Sequence, residues 1–137
     1  MIRALLAGLV LALVPVSVHG ATVRQSTLHE INSVRWPDLR RSACAEGYAA
    51  RWAAHLARSH RFYHRSMSTL LRGCHALRAG EVMALHVKSP RQAVRLWLHS
   101  PAHKRVMKNH SYTHAGVGTA RLNDGTYLMV VDFLEKR

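Results

Sequence analysis

The strongest pattern of hydrophobic and polar positions along the chain is helical and runs over residues 39–60. Apolar residues recur there at steps of three and four, while arginines fall largely on the other side. Many of the apolar residues are alanines, whose small side chains permit close packing. The pattern therefore predicts one long helix with a buried face made of Ala45, Tyr48, Ala49, Trp52, Ala53, Leu56 and Ala57.

Shorter helical segments lie on either side of this helix. Residues 26–33 precede it, and that segment ends before Pro37 because a proline disfavours helical geometry at the residue before it. Trp36 is expected to pack into the core. Residues 66–71 are expected to form one or two helical turns.

The middle of the chain combines a strand with two helices. Residues 81–87 contain four apolar side chains without helical spacing, which indicates a strand. Ser-Pro pairs then occur at 89–90 and at 100–101, and a serine followed by a proline is typical of an N-cap and first helical position. These signals predict helices over 90–99 and 101–108.

The last quarter of the chain has the pattern of a β-hairpin. Residues 114–122 and 126–134 have strand-like composition, and Asn123, Asp124 and Gly125 form a strong turn signal between them. Helices come first, one strand follows, and two strands end the chain. This order predicts an α+β fold with a small, mainly antiparallel sheet packed against helices.

Residues 1–20 have the features of a signal peptide. Arg3 is followed by an unbroken apolar run from Ala4 to Val14, which is too short to form a stable membrane anchor. We expect cleavage before Ala21 and export of a soluble monomer without a transmembrane segment; an uncleaved anchor is the alternative. Removing 20 of the 137 residues leaves 117, enough for one compact domain but not for two.

The charge of the chain is strongly positive. Twenty Lys and Arg residues face seven Asp and Glu residues, a net charge of +13, and loss of Arg3 with the signal peptide leaves +12. Such a charge favours anionic partners, among them cell-envelope polymers and lipid head groups. The arginines are scattered and no stacking aromatics interleave with them, so nucleic acid is not an expected partner. A solvated, colloidally stable surface is the alternative interpretation.

The two cysteines, Cys44 and Cys74, both lie in the part of the chain expected after export. An even number of cysteines in an exported protein indicates a disulfide. The alternatives are a reactive thiol and a zinc ligand, but the close second cysteine of a zinc ribbon is missing.

His64, Glu81 and His103 lie on three separate segments, each where a predicted element begins or ends. Such ends are where a fold can bring side chains together at a cleft. Two neutral imidazoles and a carboxylate could hold zinc or another divalent metal, with water in an open fourth position. Without metal, Glu81 and a histidine could act as an acid–base pair. No Gly-x-Ser-x-Gly elbow or His-Glu-x-x-His helix accompanies them, so no residue is assigned as catalytic.

Six short motifs occur in order along the chain: Phe62-x-His64, Ala79-Gly80-Glu81, Ala93-Val94-x-x-Trp97, Ser100-Pro101-Ala102-His103, Ala115-Gly116-Val117-Gly118 and Tyr127 to Phe133. Together they resemble the CAP superfamily of cysteine-rich secretory proteins, antigen 5 and plant pathogenesis-related proteins (the SCP domain), in its compact bacterial form. The resemblance covers residues 27–134 as a single domain. It implies a three-layer α-β-α sandwich in which His64, Glu81 and His103 line a central cleft, the proposed metal and ligand site of the family.

Two departures from the family pattern affect the expected site. The family usually has Asn after Gly-Glu, and here Val82 takes that place. Many members also supply a second acid shortly after the tryptophan, whereas this chain has Leu98-His99-Ser100. A site of two histidines and two acids is therefore incomplete, although His60, His86 or His99 could stand in.

Two classes of function follow from these residues. The first is a secreted, non-enzymatic binding module whose cleft takes a small apolar ligand, a lipid or a divalent metal, or which holds an anionic component of the cell envelope. The second is an extracellular metal-dependent hydrolase or protease. A purely structural role is a third interpretation, in which Glu81 hydrogen-bonds His64 or His103 and holds two layers together.

Overall fold

The computed structural model describes residues 18–137, so all but the last three residues of the predicted signal peptide lie outside it. Within the described part, no helix is long and apolar enough to cross a membrane. The elements are α1 (Val18–Asn32), β1 (Arg40–Arg41), α2 (Ala43–Ser59), α3 (Ser68–Gly73), β2 (Arg78–Val87), α4 (Pro90–His99), α5 (Pro101–Met107), β3 (His114–Arg121) and β4 (Tyr127–Glu135).

The four strands form one sheet in the order β1-β3-β4-β2. The β2–β4 and β3–β4 pairs are antiparallel, and only the two-residue β1 pairs in parallel, with β3. The α+β class and the mainly antiparallel sheet predicted from the sequence are confirmed. The hairpin is confirmed as well, with Gly125 at φ 81° in its turn, a backbone conformation that suits glycine.

Alternation along β4 builds a core on each face of the sheet. Met129, Val131 and Phe133 pack on one side with α1, α4 and α5, whereas Leu128 and Val130 pack on the other side with α2. These layers form the α-β-α sandwich that the resemblance implied.

The helix α2 lies directly on β3 because the strand presents glycines to it. A Cβ added at Gly116 would lie 1.9 Å from the backbone nitrogen of Glu46, and one added at Gly118 would lie 2.1 Å from the carbonyl carbon of Ala49. No real Cβ approaches backbone so closely. Ala45, Ala49 and Ala53 are fully buried in the helix face that meets the sheet.

The start predicted for this helix, residue 39, is wrong. Arg40 donates its backbone N–H to the carbonyl of Thr113 at 3.0 Å, and Ser42 donates to that of Ala115 at 2.8 Å, so this segment joins the sheet. The side chain of Ser42 then accepts from the N–H of Ala45 and caps the helix. The first helix is longer than the expected 26–33, since α1 spans Val18–Asn32.

Trp36 is also not where the sequence analysis expected it, since it is 77% exposed rather than buried in the core. The adjacent Arg35 is buried instead, and its guanidinium donates to the carbonyls of Met107, Asn109, Tyr112 and Pro37. Arg35 and Trp36 lie in the bend that follows α1, with Arg35 turned inward and Trp36 turned outward.

The expected disulfide is present between Cys44 and Cys74. It joins the second residue of α2 to the residue that follows α3, closing a loop with a sequence separation of 30. A loop of this length restricts the unfolded chain and stabilises the folded state. The disulfide holds the segment carrying His64 between two fixed ends.

Candidate functional site

The site lies at an edge of the sheet, because β2 is the last strand in the order. Glu81 is on β2, His64 is on the segment between α2 and α3, and His103 is in the first turn of α5. The helices α2 and α5 belong to different layers. The two histidines therefore approach the strand from the two layers that enclose the sheet.

His64 and Glu81 form a hydrogen-bonded pair. Nδ1 of His64 lies 2.7 Å from Oε1 of Glu81, and that ring nitrogen donates to the carboxylate. The side chain of Glu81 is only 2% exposed, whereas that of His64 is 53% exposed. Because Nδ1 is engaged with the acid, Nε2 is the ring nitrogen of His64 that can meet a ligand.

A second buried acid lies beside the first. Glu81 and Asp132 are directly opposed across β2 and β4, and Arg65 contacts both: it forms a close ion pair with Asp132 and lies 3.5 Å from Oε2 of Glu81. The side chain of Asp132 is fully buried. Burial raises the pKa of Asp132 to about 8, and burial also raises the pKa of Glu81, while the charge of Arg65 opposes both shifts.

The two acids and the arginine form one electrostatic unit. Two carboxylates beside a single guanidinium would leave an uncompensated negative charge in a buried place, which is costly. Oε2 of Glu81 and Oδ1 of Asp132 are buried without a hydrogen-bond donor among the described residues. One proton held by the pair removes the excess charge, which is the direction in which burial shifts both pKa values, so the pair titrates as a unit.

His103 has a different environment from His64. Its Nδ1 lies 2.8 Å from Oγ of Ser100, the residue that precedes α5. Burial lowers the pKa of His103, and the charge of His64 lowers it further. The lowered pKa favours the neutral ring of His103, whose Nε2 can accept or donate one hydrogen bond.

Aromatic contacts hold the segment that carries His64 and Arg65 against α2. The ring of Tyr63 packs edge-on against Trp52 at 5.2 Å, and Trp52 stacks on His55 at 4.9 Å. Arg65 lies over the ring of Trp52 and donates to the carbonyl of Tyr48 at 3.1 Å. The site is thus built on a fixed segment rather than on a free loop.

The side chains at this site do not fit a metal ion. Among residues 18–137, no three His, Cys, Asp or Glu side chains are arranged to hold one. Glu81 is engaged by His64, and Nδ1 of His103 is engaged by Ser100. The guanidinium of Arg65 also lies 3.5 Å from Oε2 of Glu81, on the carboxylate oxygen that His64 does not contact.

The histidines considered as substitutes are not part of the site. Nδ1 of His86 lies 2.9 Å from Asp124, and Nδ1 of His99 lies 2.7 Å from the carbonyl of Arg95. His60 ends α2 with φ 52°. Val82, which replaces the usual Asn, is fully buried in the core on the opposite face from Glu81 and so adds apolar packing rather than an amide.

Sequence reasoning missed Arg65 and Asp132. Asp132 is a single acid inside the apolar run of β4, and a lone buried acid in such a run requires a partner. That signal could have singled out Asp132. Its partner could not have been found, because Arg65 and Asp132 are 67 residues apart in sequence.

Comparison with known proteins assigns the sequence to a family. The sequence model of the cysteine-rich secretory protein family, CAP, matches residues 24–133. The chain therefore belongs to the CAP family, as the resemblance in its motifs suggested. No curated protein matches the chain significantly.

Solved structures agree with the fold at low sequence identity. An outer surface protein of Borrelia burgdorferi superposes with a TM-score of 0.72 at 21% identity over 82% of this chain and 92% of its own. An extracellular SCP-domain protein of Bacillus anthracis gives 0.73 at 23% identity, over 85% of this chain and 41% of its own. A cysteine-rich secretory protein of Staphylococcus aureus gives 0.75 at 17% identity, over 88% and 40%. This chain therefore spans less than half the length of the last two proteins.

Proposed function

We propose that this CAP-family chain is a non-enzymatic binding module whose cleft, lined by His64, Glu81 and His103, holds a small polar ligand without a metal. The observation that supports it most strongly is that Glu81 is held by its own neighbours, His64 and Arg65. Such an acid positions an imidazole. It is not available as a metal ligand.

The exposed groups of the cleft suit hydrogen bonding better than catalysis. Both rings leave Nε2 without a hydrogen bond among the described residues, and the half-exposed rings of Phe62 and Tyr63 lie beside His64 in the chain. A catalytic acyl transfer would also need an activated nucleophile and an oxyanion donor. Hydroxyl and amide groups, which occur in cell-wall glycans and their peptides, can form hydrogen bonds with these imidazole nitrogens.

Export is part of the proposal. The apolar pattern of residues 1–20 and the net charge of +12 after its removal suit a soluble, secreted monomer among anionic envelope components. The relatives of known structure are described as extracellular or outer-surface proteins, which agrees with this location.

An extracellular metal-dependent hydrolase is the second candidate. It is favoured by the pairing of His64 with Glu81 and by the electrostatic effect of His64 on His103, because imidazoles and a carboxylate form a common catalytic set. It is disfavoured by Arg65, whose charge occupies the position next to Glu81. The two candidates differ in what a chelator and a Glu81 substitution do.

We expect protein purified after export to start at or near Ala21, to carry less than stoichiometric metal, and to hydrolyse neither peptides nor esters. Soluble peptidoglycan fragments should shift the NMR signals of the His64 and His103 rings, and His64→Ala should weaken their binding by about tenfold, the effect of one lost hydrogen bond to a desolvated group. His99→Ala is the matched control, because His99 bonds its own helix.

Hydrolysis that a chelator abolishes and Glu81→Gln removes would establish the hydrolase instead. If the peptidoglycan fragments shift the NMR signals of neither ring, the proposed binding is wrong. Glu81 and His64 then only hold two layers of the fold together.

A further inference from the structure

A concave site lies along the same edge of the sheet as Glu81. It is a cavity of about 470 Å³ between the end of α2, the segment that follows it and the β3–β4 turn. This volume lies within the range of small-molecule sites. Leu85, on the β2 side of the cavity, is four residues beyond Glu81, which corresponds to about 13 Å along the strand.

The floor of this cavity is apolar. Leu56 and Leu128 are buried beneath it, and Leu85 is 38% exposed at its side. The register of β2 shifts between Ala84 and Val87. Such a bulge interrupts the strand pairing at Leu85, whose side chain lines the cavity.

The rim of the cavity is cationic. Arg58, Arg61 and Arg121 surround the apolar floor, and within residues 18–137 none of the three has a carboxylate within ion-pair distance. The acid at the rim, Asp124, is hydrogen-bonded to His86 and Thr126. The rim therefore carries a net positive charge that the protein itself does not neutralise.

We infer that this cavity binds a small amphiphile with an anionic head group, whose apolar body rests on Leu56, Leu85 and Leu128 and whose carboxylate or phosphate pairs with the rim arginines. The inference does not depend on the function of the cleft. Arginine suits this role because its planar guanidinium forms paired hydrogen bonds with such oxyanions. The concave shape favours a single dissolved molecule over a flat membrane surface.

Three probes of equal chain length separate the effect of the head group from that of the apolar body: octanoate, octanol and octyltrimethylammonium. Titration followed by NMR of the leucine methyl groups should show octanoate shifting Leu85 and Leu128. We expect octanoate to bind about tenfold more tightly than octanol, as a charge-assisted pair would give, and octyltrimethylammonium to bind more weakly than either.

The variant Arg58→Gln/Arg121→Gln should remove the preference for octanoate while leaving octanol binding unchanged. The control Arg91→Gln/Arg105→Gln has the same change in net charge, and these exposed helical arginines do not line the cavity. Equal affinity for the three probes, equal loss in both double variants, or shifts confined to His64 and His103 would overturn the inference. A Leu85→Asn variant that keeps full octanoate affinity would do so as well.

Discussion

Replacing Gly116 with alanine should destabilise the protein by more than about 4 kcal/mol, the range in which backbone has to move to relieve a clash. The added Cβ would lie 1.9 Å from the nitrogen of Glu46 and 2.3 Å from the carbonyl carbon of Ala45. Both are backbone atoms of α2 and cannot rotate away. The free energy of unfolding, measured by urea denaturation, checks this expectation.

Gly47→Ala is the matched control. Gly47 lies within α2, and a Cβ added there meets only the end of the Arg51 side chain at 3.4 Å. Because alanine is the better helix former, this variant should be more stable by about 0.5–1 kcal/mol. If Gly116→Ala unfolded at the same urea concentration as the unsubstituted protein, α2 would not lie directly on β3.

The second large effect is expected from Arg65→Met. This change leaves Glu81 and Asp132 buried side by side without their cation. Removing one partner from a buried ion pair costs about 3–5 kcal/mol, and we expect a loss of this size near pH 8. The loss should be smaller near pH 5, because both carboxyl groups can then take up protons. Urea unfolding at both pH values measures the difference.

The sign of this pH dependence follows from the pKa of Asp132. Its pKa is about 8 in the folded protein and 3.8 as its ordinary value, so the folded state binds more protons between those limits. The free energy of unfolding of the unsubstituted protein then falls as pH rises from about 4 to about 8.

Adding Asp132→Asn to Arg65→Met should restore stability near pH 8, because the asparagine removes the negative charge that would lie beside Glu81. A double variant less stable than Arg65→Met there would contradict the shared-proton account.

The hairpin and the two Ser-Pro helices could be predicted because their signals are local. Asn123 to Gly125 form a turn from their own backbone preferences, and Ser89 accepts from an N–H only three residues ahead. The strand β1 carries no such signal: Arg40 and Arg41 are two exposed polar residues. Their strand geometry comes from β3, which is more than seventy residues away in sequence.

The candidate site divides in the same way. His64, Glu81 and His103 could be singled out as candidates because each lies in a short motif, and the contact between His64 and Glu81 agrees with the structural role considered at the outset. The pairing of Glu81 with Asp132 depends on the register between β2 and β4. A shift of one residue would have sent Asp132 to the other face, so no local pattern could predict the pair or its contact with Arg65.

Zinc titration of metal-free protein, followed through the NMR signals of the histidine rings near pH 7.5, tests most directly whether this cleft works without a metal. We predict that the Nδ1 proton of His64 remains hydrogen-bonded to Glu81 and that the His64 and His103 rings do not shift at equimolar zinc. Stoichiometric shifts of both rings that a chelator reverses and that Glu81→Gln abolishes would contradict this account and show that the three side chains form a metal site.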